Sequence, residues 1–161
     1  MDRKKEQQFV ETVKDNRQAL WRVAFGILHT RADAEDAVSS AVENTWRRLE
    51  RLRSMDALKV YLIRSTIHAA YDEVKRRKRI VSVETLPEEP SAQVHSRGIA
   101  DYVSDMEEKY RILLVLKFDE GLHEKEIAQI MHMSRGTVSS RISRALETLR
   151  KEMKKEGTEH A

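Results

Sequence analysis

The chain has 161 residues, of which 35% are charged, 40% hydrophobic and 6% aromatic, with a formal net charge of +3. That balance suits one domain or two small ones built from thin helical layers, not a thick β-rich core. With no cysteine at all, disulfides, thiolate metal sites and a cysteine nucleophile are excluded together.

The charge is unevenly spread. Residues 1–79 hold 18 Lys and Arg against 12 Asp and Glu, residues 80–104 hold 1 against 4, and residues 105–161 hold 11 of each. The basic excess therefore sits in the first half and is densest at "KRRKR", Lys75 to Arg79. The opening "MDRKKEQQFV" passes from charge into an amphipathic pattern without an apolar core segment, and nowhere do eighteen uncharged apolar residues follow one another. A soluble, cytoplasmic protein with no membrane insertion is expected.

In chain order, Phe9, Val10, Val13, Leu20, Val23, Ala24, Ile27 and Leu28 recur at helical spacings, which predicts a first helix. Ala34, Ala37, Val38, Ala41, Val42, Trp46, Leu49 and Leu52 predict a second, entered through "HTRAD" with acidic residues in its first turn. Beyond "RLRSMD", the stripe of Leu58, Tyr61, Leu62 and Ala69 predicts a third, ending in the basic run. Pro87 and Pro90, the two prolines of the chain, then fall in an acidic stretch without periodicity, a break between two helical segments. Residues 80–100 are expected to be a flexible linker, whether disordered or held as an extended tether, between domains at 1–79 and 101–161.

After the break, Tyr102, Met106, Tyr110, Leu113, Leu114 and Leu116 predict a helix that stops near Gly121. A short helix over Glu124 to Met131 and a longer one from Arg135 to Met153 follow, separated by "HMS". Ser134 has N-cap chemistry for the longer helix. Its apolar stripe of Val138, Ile142, Ala145, Leu146, Leu149 and Met153 has the width of a core-facing sector. A short helix, a tight turn and a longer helix with small residues outward at its start are the ingredients of a helix-turn-helix. Arg135, Gly136, Thr137, Ser139, Ser140, Arg141 and Arg144 stand on that outer face. Small side chains admit a groove, hydroxyls bond bases or phosphates, and arginine spans a guanine edge. The same pattern also suits the solvated face of a bundle hairpin. Everything points to an all-α protein of two small helical domains.

"EEKYRILLVLKFDEGLHEKEIAQIMHMSRGTVSSRISRALETLRKEM" resembles, without gaps, the promoter-binding C-terminal region of the extracytoplasmic function (ECF) subfamily of bacterial sigma factors. "ADAEDAVSSAVENTWRRL" and "VYLIRSTIHAAYDEVKRRKR" are similar to that family's N-terminal region. Together the likeness runs from about residue 8 to 155. It departs from the family pattern at Ser39, Tyr61, His68, His123, His132 and Ser139, where the family usually has Gln, Trp, Asn, Ser, Gly and Lys.

The resemblance implies an alternative sigma factor that binds core RNA polymerase and promoter DNA, is controlled by an anti-sigma factor, and has no catalytic residues, cofactor or small-molecule substrate. The second helix, through Asp33, Glu35, Asp36, Ser39, Glu43 and Trp46, would dock on the polymerase. Arg51, Arg53, Ser54, Met55, His68 and Asp72 would engage the minus-ten element, while Lys75, Arg76, Arg77, Lys78 and Arg79 would hold phosphates, a sequence-independent role. The helix-turn-helix would read the minus-thirty-five element. Each feature has a plainer account: "KRRKR" as a helix end favoured by the macrodipole, the acidic trio as first-turn carboxylates, Trp46 as core. A stand-alone helix-turn-helix regulator would leave the N-terminal helices without a task, and a metal enzyme would need converging ligands. His123 and His132 stand nine apart with no HExxH motif, so no metal is expected.

Overall fold

A computed structural model describes residues 2–79 and 106–159, with side chains to residue 155. The expected linker and Tyr102 lie outside the described residues, and the expected domain bounds fall in or against that stretch. The chain divides into two units, Met1–Gln93 and Val94–Ala161. The described residues form helices and turns with no strand.

In the first unit, α1 (Arg3–Leu28), α2 (Arg31–Arg47) and α3 (Leu58–Arg79) pack pairwise. α1 starts at Asp2, whose carboxylate accepts from the Lys4 N–H at 3.0 Å. It ends at His29, a residue with positive φ (60°) whose N–H donates to the Phe25 carbonyl at 2.8 Å. α2 buries only small residues and one valine, Ala34, Ala37, Val38, Ala41 and Thr45, so its neighbours approach closely. Two buried hydroxyls are satisfied within their own helices, Thr45 by Ala41 O at 2.7 Å and Thr66 by Leu62 O at 2.8 Å. Two single 3-10 turns, Leu49–Arg51 and Met55–Ala57, bridge α2 to α3. α3 buries Leu58, Leu62, Ile63, Thr66, Ile67 and Ala70. Each of its buried leucines and isoleucines contributes about 1.5–3 kcal/mol by leaving water.

In the second unit, α4 (Glu108–Leu114) runs into a π-helical turn, Val115–Asp119, and stops at Gly121, whose φ of 67° favours glycine. α5 (Glu124–Met131) and α6 (Arg135–Glu159) complete it. The core joins Leu113, Leu114 and Leu116 to Ile127, Ile130, Val138, Ile142 and Ala145. His132 forms the turn in the left-handed region (φ 53°, ψ 45°), where the family usually has glycine. Its N–H and that of Met133 both reach the Ala128 carbonyl.

Five sequence expectations change. Leu49 and Leu52, expected on the second helix, lie past its end at Arg47, Leu49 in a 3-10 turn. Met106 is not helical, because α4 begins at Glu108. Val10 is exposed because Phe9, one position along, takes the inward place. Met153 is exposed as well: the 25 residues of α6 extend about 37 Å at 1.5 Å per residue, well past its short partners. Trp46 is not core, being 38% exposed with one face on Phe9 at a ring-centroid distance of 5.1 Å.

Candidate nucleic-acid and polymerase interfaces

The start of α6 is built by its cap. The Ser134 hydroxyl accepts from the Thr137 N–H at 3.1 Å and lies 2.8 Å from the Thr137 hydroxyl, so Thr137 closes the first turn as well as bordering the outer face. Arg135, Gly136, Ser140 and Arg144 are exposed, while Ser139 and Arg141 are half-buried. Apart from its chain neighbours and the backbone of its own helix, nothing lies within 4 Å of where a Cβ on Gly136 would stand. Its missing side chain therefore serves no internal packing and leaves room for something outside. Arg141 directs a guanidinium nitrogen to the Met133 sulfur at 3.6 Å.

Beneath this face, Lys117 donates to the Glu124 carboxylate at 2.8 Å, joining the π-helical turn to the start of α5. That hydrogen bond is the largest influence on the Glu124 carboxyl. Burial opposes it, and the charges of Lys117 and Arg135 with a bond to Ser139 complete the lowering below the ordinary carboxylate value. The Glu126 carboxylate accepts from the His123 N–H at 3.1 Å, so α5 keeps half of a capping box although histidine replaces serine.

In the first unit the outer face of α2 gathers most of the expected docking residues. At 100° per residue, Glu35, Asp36, Ser39, Glu43 and Trp46 fall within an arc of about 100°, with Asp33 about 60° beyond its edge. Glu35, Asp36, Ser39 and Glu43 are exposed. Glu35 pairs with Arg31 at 3.3 Å and Glu43 with Arg47 at 2.6 Å, surface pairs that add little stability. Asp33 is half-buried and turned to Thr30 and Arg77.

Between α2 and α3 runs an open groove of about 540 Å³, lined by Asn44, Arg48, Tyr61, Arg64, His68, Asp72 and Arg76 among others. The sequence reading selected His68, Asp72 and Arg76 but missed Asn44, Arg48, Tyr61 and Arg64. The signal was present: Tyr61, Arg64, His68 and Asp72 recur at three and four residues along α3. Arg48 reaches the Tyr61 hydroxyl at 3.4 Å. In the α2–α3 connection Arg51, Arg53 and Ser54 are exposed and Met55 half-buried. The Ser54 hydroxyl accepts from the Asp56 N–H at 3.2 Å.

The basic run does not act as one patch. Arg76 grips Glu73 with two nitrogens at 2.9 and 2.6 Å, which raises its already high pKa. Arg77 is directed into the α1–α2 junction. Lys75, Lys78 and Arg79 are exposed, with no ion pair among the described residues. Nor, among those residues, do three His, Asp or Glu side chains converge as ligands for a metal.

Residues 12–80 match the family described as Sigma-70 region 2, and residues 96–149 match Sigma-70, region 4. The chain is 31% identical over 152 residues to the RNA polymerase sigma-E factor of Streptomyces coelicolor, covering 91% of this chain and 86% of that protein. It is 24% identical to RNA polymerase sigma factor SigV of Bacillus subtilis, with 91% and 92% covered. Its fold is like that of the sigma factor RpoE of Bartonella quintana, solved with the anti-sigma factor NepR, with a TM-score of 0.72 at 21% identity over 91% of this chain and 96% of that one. A region 2 layer followed by a region 4 helix-turn-helix, over most of the length of such relatives, makes this chain a member of the sigma-70 family of RNA polymerase sigma factors, in its extracytoplasmic function branch.

Proposed function

We propose that the chain works as an alternative sigma factor without catalytic chemistry of its own, acting in the cytoplasm, where it binds core RNA polymerase and directs it to a particular set of promoters. The outer face of α2, with Glu35, Asp36, Ser39, Glu43 and Trp46, docks on the polymerase. The connection bearing Arg51, Arg53, Ser54 and Met55, with the groove at Tyr61, Arg64, His68 and Asp72, holds the opened minus-ten strand, while Lys75, Arg76, Lys78 and Arg79 meet phosphates. Arg135, Gly136, Ser140 and Arg144 read the minus-thirty-five element in the major groove, and Thr137, Ser139 and Arg141 shape that surface. The observation that carries this reading is the exposed, unfilled face at the start of α6, on a chain that also holds a Sigma-70 region 2.

The relative solved with an anti-sigma factor supports control of this chain by a protein of that kind. The test is to mix the chain with core RNA polymerase, separate the complex by gel filtration and run transcription on genomic fragments. Co-elution and promoter-selective transcripts are expected. Failure to co-elute overturns the proposal, and tight specific duplex binding by the chain alone would favour a stand-alone regulator.

A further inference from the structure

Five consecutive residues on a helix cover its whole circumference at 100° each, so the cations of "KRRKR" cannot all face one ligand. The inward one is Arg77. Its side chain is 36% exposed against 61% for Arg76, and its two terminal nitrogens are occupied. Nη1 donates to the Leu28 carbonyl at 2.9 Å, and Nη2 donates to the Thr30 hydroxyl at 3.0 Å and to the Asp33 carboxylate. Thr30 in turn donates to Asp33 at 2.8 Å. These partners are the last turn of α1, the N-cap of α2 and the first turn of α2. A carbonyl at the negative end of one helix and a carboxylate in the first turn of the next are thus gathered by one planar cation. Burial raises the Asp33 carboxyl, but the bonds from Thr30 and Arg77 and the nearby arginine charges outweigh it and hold the group below its ordinary value.

We infer that Arg77 is a positioning residue for the polymerase-docking face of α2, not a DNA contact. It fixes the entry angle of α2, and with it the direction in which Glu35 and Asp36 are presented. This rests on the assignment of that face to the polymerase. A phosphate could recruit Arg77 only by breaking three hydrogen bonds within the unit, whereas Lys78 and Arg79 make no such bonds among the described residues. Lysine separates the two roles: it supplies charge to a phosphate but cannot span Leu28, Thr30 and Asp33 as a guanidinium does.

The test titrates full-length Arg77→Lys and Arg77→Ala chains into core RNA polymerase without DNA, then measures the salt dependence of promoter binding by the assembled holoenzyme. Both variants are expected to weaken assembly about tenfold, which is about 1.4 kcal/mol, with the salt slope unchanged. Arg79→Ala should lower that slope by about one. Assembly at the original affinity by Arg77→Lys overturns the inference, as does a slope lowered by about one in Arg77→Ala. Should Arg77→Ala lose its helical circular dichroism, Arg77→Lys decides. Glu35→Ala with Asp36→Ala tests the docking assignment separately. If that pair leaves assembly untouched, hydrogen exchange at the Ala34 to Ala37 amides reads the clamp directly, faster exchange in Arg77→Lys supporting it and unchanged exchange overturning it.

Discussion

The α1–α2 junction of the first unit and the start of α6 in the second both join two helices through a histidine with positive φ, His29 at 60° and His132 at 53°. They treat charge in opposite ways. At the first junction Arg77 arrives from a distant helix and is spent on Leu28, Thr30 and Asp33. At the second, the Ser134 hydroxyl accepts from the Thr137 N–H to cap α6, Lys117 is held by Glu124 at the start of α5, and Arg135 and Arg144 remain on the surface. A face meant to dock as a rigid body gains from cations that fix its angle. A face meant to read a groove gains from cations left available to the ligand, with the support made underneath. The difference lies in which side of the helix each arginine occupies, which the order of residues alone does not mark.

The largest effect that tests this contrast comes from the cores. Leu113 is fully buried in α4, and Leu113→Ala should cost about 2–5 kcal/mol, on the scale of what so small a unit possesses in total. Denaturant titration should show the second unit losing its transition, and the minus-thirty-five footprint should vanish while co-elution with polymerase persists through α2. The reciprocal Leu62→Ala in α3 should abolish co-elution. If Leu113→Ala also abolishes co-elution, the division of labour between the units is wrong.

Next in size are the exposed cations of α6. Arg144→Ala should weaken binding at the minus-thirty-five element by about 1–3 kcal/mol, read as a loss of upstream protection in a holoenzyme footprint. Ser139→Ala should leave that footprint nearly intact, because the Ser139 side chain is half-buried whereas Arg144 is exposed. Equal losses from the two substitutions would show that the inward and outward sides of this helix have been assigned wrongly.

Much of this was legible in the sequence because it is local. α5 and the start of α6 follow from the apolar stripe and from Ser134, a cap acting within three residues. The helix-turn-helix face follows from the same periodicity. What escaped is what depends on tertiary neighbours. Arg77 meets partners 44 to 49 positions away, and a run of like charges contains no mark of which member turns inward. Trp46 fell on an apolar stripe, yet it lies on the rim of α2, covered on one side by Phe9. The groove between α2 and α3 was half legible: the polar spacing on α3 was there, but Asn44 and Arg48 join it only when α2 packs alongside.

The smallest effect concerns the two histidine turns themselves. An L-residue in the left-handed region costs about 1–2 kcal/mol, part of which glycine gives back as flexibility in the unfolded chain. His132→Gly should therefore stabilise the second unit by about 0.5–1 kcal/mol, seen as a small rise in its melting temperature. Promoter affinity should stay the same, because the turn bonds from His132 and Met133 to Ala128 are made by the backbone. His29→Gly should stabilise the first unit by a similar amount, but there the turn carries Leu28 and Thr30, two of the groups that Arg77 holds. A looser residue at position 29 would then weaken polymerase assembly even as the fold gains stability. Gains of equal size with no change in assembly would mean that the angle of α2 is set by the packing of Ala34, Ala37 and Ala41 alone, and that the two junctions differ less in role than their arginines do.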